Sequence, residues 1–92
     1  MTRIVIKTLV WDDWNREHIK KHNITLEEVE TAAKNQIVHK QGYRGRYVVT
    51  GRSGSRIVSV IVVREKAKRY LVVTARDADR NERRSVYAKE KN

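Results

Sequence analysis

The chain has 92 residues, enough for one domain, and its 21 Lys/Arg against 11 Asp/Glu leave a net charge of +10. It has no cysteine, which excludes a disulfide staple and a thiolate metal site. Its opening segment, residues 1 to 7, is too short and too interrupted for a signal peptide or a membrane span, so a cytoplasmic location is expected.

Residues 3 to 11 are β-rich, with Ile4, Ile6, Leu9 and Val10 marking an opening strand. Trp11, Trp14, His18 and His22 then fall at helical spacing, with Asn15 and Ile19 beside them. That spacing predicts an amphipathic helix over 12 to 22, capped by Asp12 or Asp13 and ended by a left-handed Asn23. Sharing its spacing with Ile19, the Trp11 and Trp14 pair is expected in the core rather than stacked on bases. Thr25-Leu26-Glu27-Glu28 is a capping box opening a second helix, with Ile24 and Val29 as its hydrophobic staple. Leu26, Val29, Ala32 and Ala33 form the predicted buried stripe, and Asn35 is the stop.

Four strands follow, over 36 to 40, 47 to 52, 57 to 64 and 70 to 76, rich in Val, Ile and Tyr. Residues 53 to 55 and 65 to 68 suit hairpin turns, so the last three strands are expected as an antiparallel meander. Arg52 and Arg76 then close strands at one end of the sheet, and Arg64 at the other. Pairing Arg52 with Arg56, and Arg64 with Arg69, sorts the faces. Val48, Thr50, Val58, Val60, Val62, Leu71 and Val73 fall on a core face. Tyr47, Gly51, Ser59, Tyr70, Thr74 and Arg76 fall on a partly polar working face. A slip of one residue exchanges these assignments.

Asp79-Arg80-Asn81-Glu82 has capping-box spacing and opens a last helix. Its apolar stripe is thin (Ala78, Val86 and Ala88), so weak docking is expected. Arg80, Arg83, Arg84 and Tyr87 share its other side. The expected fold is a single α+β domain over 1 to 92. It has an antiparallel sheet, two N-terminal helices on one face, and a C-terminal helix.

The charge is unevenly placed. Residues 1 to 39 hold six Lys/Arg and six Asp/Glu, whereas residues 40 to 92 hold fifteen and five. Such a field attracts a polyanion, so nucleic acid, an acidic protein, or both are expected at the second half. Arg52, Arg76, Arg80 and Arg83 can form a phosphate clamp beside a helix N-terminus; a solvated basic face accounts for them equally well. Glu82, amid arginines, is a candidate general base for a ribose 2′-hydroxyl, while the plainer reading is the helix cap. The arginines would keep it ionised but weaken it as a base. His18 and His22 have a metal-ligand spacing. The residues between them are Ile19-Lys20-Lys21, with no Glu among them, and there is no cysteine to complete a zinc site, so packing or acid–base work fits them better. Tyr47, Tyr70 and Tyr87 are candidates to stack on bases. No P-loop, Ser-His-Asp pattern or dinucleotide fingerprint is present, and no cofactor or metal is expected.

Residues 11 to 29, Trp11-Asp12-Asp13-Trp14 through Lys21-His22-Asn23-Ile24 to Val29, resemble the opening signature of the BrnT toxin family. Gly45-Arg46-Tyr47-Val48-Val49-Thr50-Gly51-Arg52 is similar to its middle motif. Thr74-Ala75-Arg76 with Ala78, Arg80, Glu82-Arg83-Arg84 and Tyr87 resembles its ending. Asp79 stands where the family has Thr or Ser, and Tyr87 lies one residue farther from the Glu-Arg pair. The resemblance implies a RelE-like, microbial-ribonuclease-type α+β fold and a metal-independent ribonuclease toxin of a type II toxin–antitoxin pair. It implies catalytic roles for Arg52, Arg76, Glu82 and Arg83, and a part for Lys21 and His22. Arg80, Arg84, Tyr87 and Tyr47 are the expected RNA contacts. The implied partner is a BrnA-like antitoxin encoded nearby, in a complex able to bind operator DNA. A nucleic-acid-binding or antitoxin-binding module without catalysis is the alternative.

Overall fold

The computed structural model describes residues 4–91, so the first residue of the predicted opening strand, Arg3, lies outside it. Strand β1 spans Thr8–Val10 and leads into helix α1, Asp13–Lys20. The Asp12 carboxylate accepts from the Asn15 N–H and caps α1, and Asn23 turns the chain at φ 59°. Helix α2, Leu26–Lys34, opens on the expected capping box: Thr25 accepts from Glu28 N–H, and the Glu28 carboxylate accepts from Thr25 N–H. Strands β2 (Gln36–Gln41), β3 (Arg46–Ser53), β4 (Arg56–Lys66) and β5 (Arg69–Asp77) follow, then helix α3 (Arg80–Glu90). No helix among the described residues is long and apolar enough to cross a membrane.

The strands form one sheet in the order β1-β5-β4-β3-β2. The meander is antiparallel as expected, but β1 pairs with β5 in parallel, so the sheet is mixed rather than purely antiparallel. Leu9 of β1 buries beside β5, whereas the residues ahead of β1 lie toward β2, where the Gln36 side chain donates to the Ile4 carbonyl at 3.0 Å; Ile4 and Ile6 are buried in the same core. Helices α1 and α2 pack on one face, over β5 and over β3–β4 respectively. Ile19, Ile24, Val29, Ala32, Ala33, Val49, Val58, Val60, Val62 and Val72 join in the main core between them. Leu26 was expected in the α2 stripe but is 41% exposed, and the buried positions of α2 are Val29, Ala32 and Ala33.

The hairpin register corrects part of the face assignment. Ser53 pairs with Arg56 and Arg52 with Ile57, so the turn is the two-residue Gly54-Ser55, with Gly54 at φ 62°. That one-residue slip sends Val48 and Thr50 to the face opposite α1 and α2, and brings Tyr47 and Gly51 onto the core side. The second hairpin slips too, with Arg64 opposite Tyr70. A bulge at Val73 then restores the phase, since Val72 pairs with Val62 and Thr74 with Ile61. Tyr70 therefore enters the core at 5% exposure, while Ser59, Thr74 and Arg76 stay on the working face as expected.

Gly51 is the closest approach of sheet and helix. A Cβ there would collide with the Ala32 carbonyl oxygen and press on that of Asn35. Both obstacles are backbone, so neither can swing away. Gly51→Ala is expected to destabilise the fold by about 3 kcal/mol, through displacement of α2. Urea denaturation checks this; an unchanged midpoint would contradict the packing.

Helix α3 lies on the opposite face. Its apolar contribution is as thin as expected: Ala78 and Val86 join Ile57 in a small satellite core, flanked by Ile37 and Val38, while Ala88 is exposed. Its docking does not rest on that stripe alone, because a buried carboxylate ties its first turn to the sheet.

Candidate functional site

The Asp79 carboxylate accepts from the Glu82 N–H at 2.8 Å, and Glu82 Oε1 accepts from the Asp79 N–H at 2.9 Å, completing the capping box of α3. That box faces a row of side chains crossing the sheet: Thr50 on β3, Ser59 on β4 and Arg76 on β5. The Ser59 hydroxyl donates to Glu82 Oε1 at 2.7 Å. Having spent its single proton, Ser59 accepts from Thr50 across their 2.7 Å contact. The Arg76 guanidinium grips the same carboxylate end-on, Nη1 to Oε1 at 2.6 Å and Nη2 to Oε2 at 2.9 Å. Lys40 Nζ stands 3.7 Å from Oε2. Glu82 is thus a charged residue at 5% exposure whose Oε1 accepts three hydrogen bonds and whose Oε2 accepts one. Burial pushes its carboxyl up, but bonds from Arg76, the Asp79 N–H and Ser59 outweigh burial and hold it at about 2. The bond from Glu82 in turn raises Arg76.

Arg76 Nη1 also reaches the Asp77 carbonyl at 3.3 Å. The side-on edge of this guanidinium, Nε–H with the second Nη2–H, takes no protein acceptor among the described residues. Beside it, Val38, His39, Lys40, Val48, Thr50, Asn81, Glu82 and Ser85 line a groove of about 220 Å³ between α3 and the β2–β3 pair.

A second charged cluster sits at the same strand tip, on the α1–α2 side. Arg56 Nε and Nη2 bond the two oxygens of Asp77 at 2.8 and 3.2 Å, and Nη1 bonds both oxygens of Glu28 at 3.2 Å. The same guanidinium donates to the carbonyls of Asn23 at 2.8 Å and His22 at 3.5 Å. One side chain therefore holds the α1–α2 turn, the α2 cap and the end of β5 together. The bond from Arg56 lowers the Asp77 carboxyl against the opposing effect of burial, and the Arg83 and His22 charges add to the lowering. Arg83 Nη1 donates to the Ala78 carbonyl at 2.8 Å, across the junction of β5 and α3.

Of the residues expected at the site, the structure brings Arg76, Glu82 and Arg83 to the first turn of α3, with His22 and the exposed Lys21 on the neighbouring turn. Arg52 shares the face and the sheet end of Arg76, but it is paired elsewhere. It bonds Glu90 through Nη2 at 3.0 Å and lies 5.9 Å from the centre of the Tyr87 ring. Glu90 is eight residues along α3 from Glu82, about 12 Å of helix. The expected four-arginine clamp is therefore divided: Arg76 and Arg83 at the N-terminus of α3, Arg52 and Tyr87 near its C-terminus. Arg80 and Arg84 are exposed on the helix. Tyr47 is on the other face, edge-on to Tyr70 at 6.4 Å, because of the hairpin register. Trp14 was expected in the core and is 67% exposed, whereas Trp11 is half-buried and donates to Glu30 at 3.0 Å. The buried place on α1 goes to Asn15, whose side-chain amide donates to the Val72 carbonyl.

Sequence reasoning passed over Arg56, Lys40 and the Thr50–Ser59 hydroxyl pair. Ser59, a hydroxyl inside the run Ile57-Val58-Ser59-Val60-Ile61, was the one available signal.

No family model matches the sequence, and no curated protein does. A solved structure does match in shape: the crystal structure of the Brucella abortus ribonuclease toxin BrnT superimposes with a TM-score of 0.65 at 20% sequence identity, over 79% of this chain and 97% of that one. This chain, a five-stranded mixed sheet with three helices, is therefore similar in its α+β fold to the BrnT ribonuclease toxin.

Proposed function

We propose that this chain is a metal-independent endoribonuclease toxin of a type II toxin–antitoxin pair, with a RelE-like active face. The observation that carries the reading is the Arg76 guanidinium, held end-on by a buried Glu82 and presenting its side-on edge at a strand tip. A phosphodiester matches that edge with two parallel hydrogen bonds. The fold shared with a ribonuclease toxin supports the same conclusion.

RNA carries its own nucleophile. The ribose 2′-oxygen loses its proton to a base and bonds to phosphorus. The P–O5′ bond breaks, and the 5′-oxygen takes up a proton, leaving a 2′,3′-cyclic phosphate and a 5′-hydroxyl. The protein has to fix the phosphate, neutralise the charge developing on it and move two protons. In this reading Arg76 and Arg83 bind the phosphate, with Arg80 and Arg84 guiding the strand. His22, with Lys21 beside it, supplies the proton transfers. Glu82 positions Arg76: a carboxylate lowered to about 2 and tied to Arg76, Ser59 and the Asp79 N–H is a weak base toward a ribose hydroxyl. Arg52 and Tyr87, at the far end of α3, extend the RNA contact. In the cell the chain would act in the cytoplasm, slowing growth through RNA cleavage. A BrnA-like antitoxin encoded nearby would cover the basic half, and the pair together would bind operator DNA.

The purified chain is expected to cut RNA equally well in excess EDTA, leaving 2′,3′-cyclic phosphate ends. Free 3′-hydroxyl ends, or a metal requirement, would overturn the mechanism. One observation favours a non-catalytic RNA-binding module instead, since the best-placed carboxylate is tied to Ser59, Arg76 and the Asp79 N–H. RNA binding with a steep salt dependence and no cleavage would decide for that alternative.

A further inference from the structure

We propose that the outer side of α1 is a base-stacking platform, on which the face of Trp14 turned away from His18 receives a base of a single-stranded RNA leading to the strand tip. The inference rests on the reading of the chain as an RNA-acting protein and adds a subsite to it. Trp14 is a large aromatic side chain at 67% exposure, on a helix whose buried positions are Asn15 and Ile19. It is not loose in solvent. Its ring lies on the His18 ring, centroids 4.6 Å apart and planes 13° from parallel. His18 in turn meets His22 edge-on at 5.4 Å. The three rings are four residues apart, so they form a continuous stripe down one side of α1 and onto the turn that follows it.

The stripe has a direction. Asn15 anchors α1 beside β5 through the Val72 carbonyl. Strand β1 pairs only with Arg69 to Leu71, so beyond that point α1 accompanies the course of β5 toward its tip. The stripe ends at His22, whose carbonyl accepts from Arg56 at 3.5 Å, and the same guanidinium bonds Asp77 at the end of β5, just ahead of α3. A base seated on Trp14 would therefore belong to the strand whose phosphate reaches Arg76. Lys21 follows the same side of the helix, and the +10 chain as a whole favours a polyanion here. Aromatic faces accept any base, so the subsite would contribute affinity without strong sequence preference.

The probe is a short single-stranded oligoribonucleotide with 2′-fluoro sugars, which lacks the nucleophile and cannot be cut. Its binding to the full chain, followed by fluorescence anisotropy across a salt series, is expected to weaken about tenfold in Trp14→Ala and less than about threefold in Trp14→Phe. The slope of affinity against salt should be unchanged, because no phosphate contact is removed. Binding by Trp14→Ala within about twofold of the parent, or a loss accompanied by a shallower salt slope, would overturn the platform. Cleavage of unmodified RNA is scored separately. Trp14-dependent binding without cleavage would sink the ribonuclease reading and leave the platform standing. Cleavage with Trp14-independent binding would remove the platform alone.

Discussion

Arg76→Lys is expected to lower the single-turnover rate of RNA cleavage by about a hundredfold to a thousandfold, the usual cost of losing one charge-stabilising donor. Lysine keeps the positive charge beside Glu82, so the fold should survive. It cannot hold a carboxylate end-on and offer a phosphate a second, side-on edge, which is the property that singles out Arg76. Arg76→Ala is a poorer test. It leaves the nearly buried Glu82 carboxylate with only Lys40 at 3.7 Å as a counter-charge, a defect that costs on the order of 3 kcal/mol. Circular dichroism should show Arg76→Lys folded. If that folded protein cleaves at the parent rate, Arg76 is a structural tie and the phosphate lies elsewhere.

Glu82→Ala should be the most destabilising single change on the α3 side, by roughly 3 kcal/mol at neutral pH. It removes the reciprocal arm of the α3 cap, strips Ser59 and the Asp79 N–H of their acceptor, and releases Arg76. The effect has a pH signature with a definite sign. The folded Glu82 carboxyl sits at about 2, below its ordinary 4.5. Its contribution is therefore complete above about pH 5 and fades as the pH falls from the unfolded value through the folded one. After allowance for solvent screening at the half-exposed Arg76, that component is roughly 2 kcal/mol. Glu28, Glu30, Asp77 and Glu90 are lowered too, but they are common to parent and variant and drop out of the difference. Urea midpoints of parent and Glu82→Ala should converge between pH 5 and pH 2. A gap of constant size across that range would mean that the carboxylate is not the tie it forms in the structure.

Local chemistry was legible in the sequence wherever a signal and its consequence lie within a few residues. Both capping boxes form as Thr25-Leu26-Glu27-Glu28 and Asp79-Arg80-Asn81-Glu82 announced, Asn23 adopts the left-handed turn, and Asn35 ends α2. A capping box needs only the residues it contains, so no distant contact can overrule it. The three long strands and their antiparallel order were readable for the same reason: β-branched runs and short turns act locally.

What lay beyond reach was decided by register and by competition for burial. One residue more or less in a hairpin turn inverts a strand, and Ser53-Gly54-Ser55-Arg56 fits a two-residue or a three-residue connection equally well in sequence. The packed sheet selects the two-residue turn, because Gly51 must face the Ala32 backbone and Tyr47 must face Tyr70. That choice took Tyr47 off the working face. The same competition gave the inner side of α1 to Asn15, which meets an open carbonyl on β5, and left Trp14 outside. The elements, their caps and the arginines at the strand ends follow from residues close together in the chain. Which arginine is held by which carboxylate follows from the packed sheet. Arg52 goes to Glu90, Arg56 to Asp77 and Glu28, and Arg76 to Glu82, because these pairings join residues up to 38 positions apart that only the folded sheet brings together.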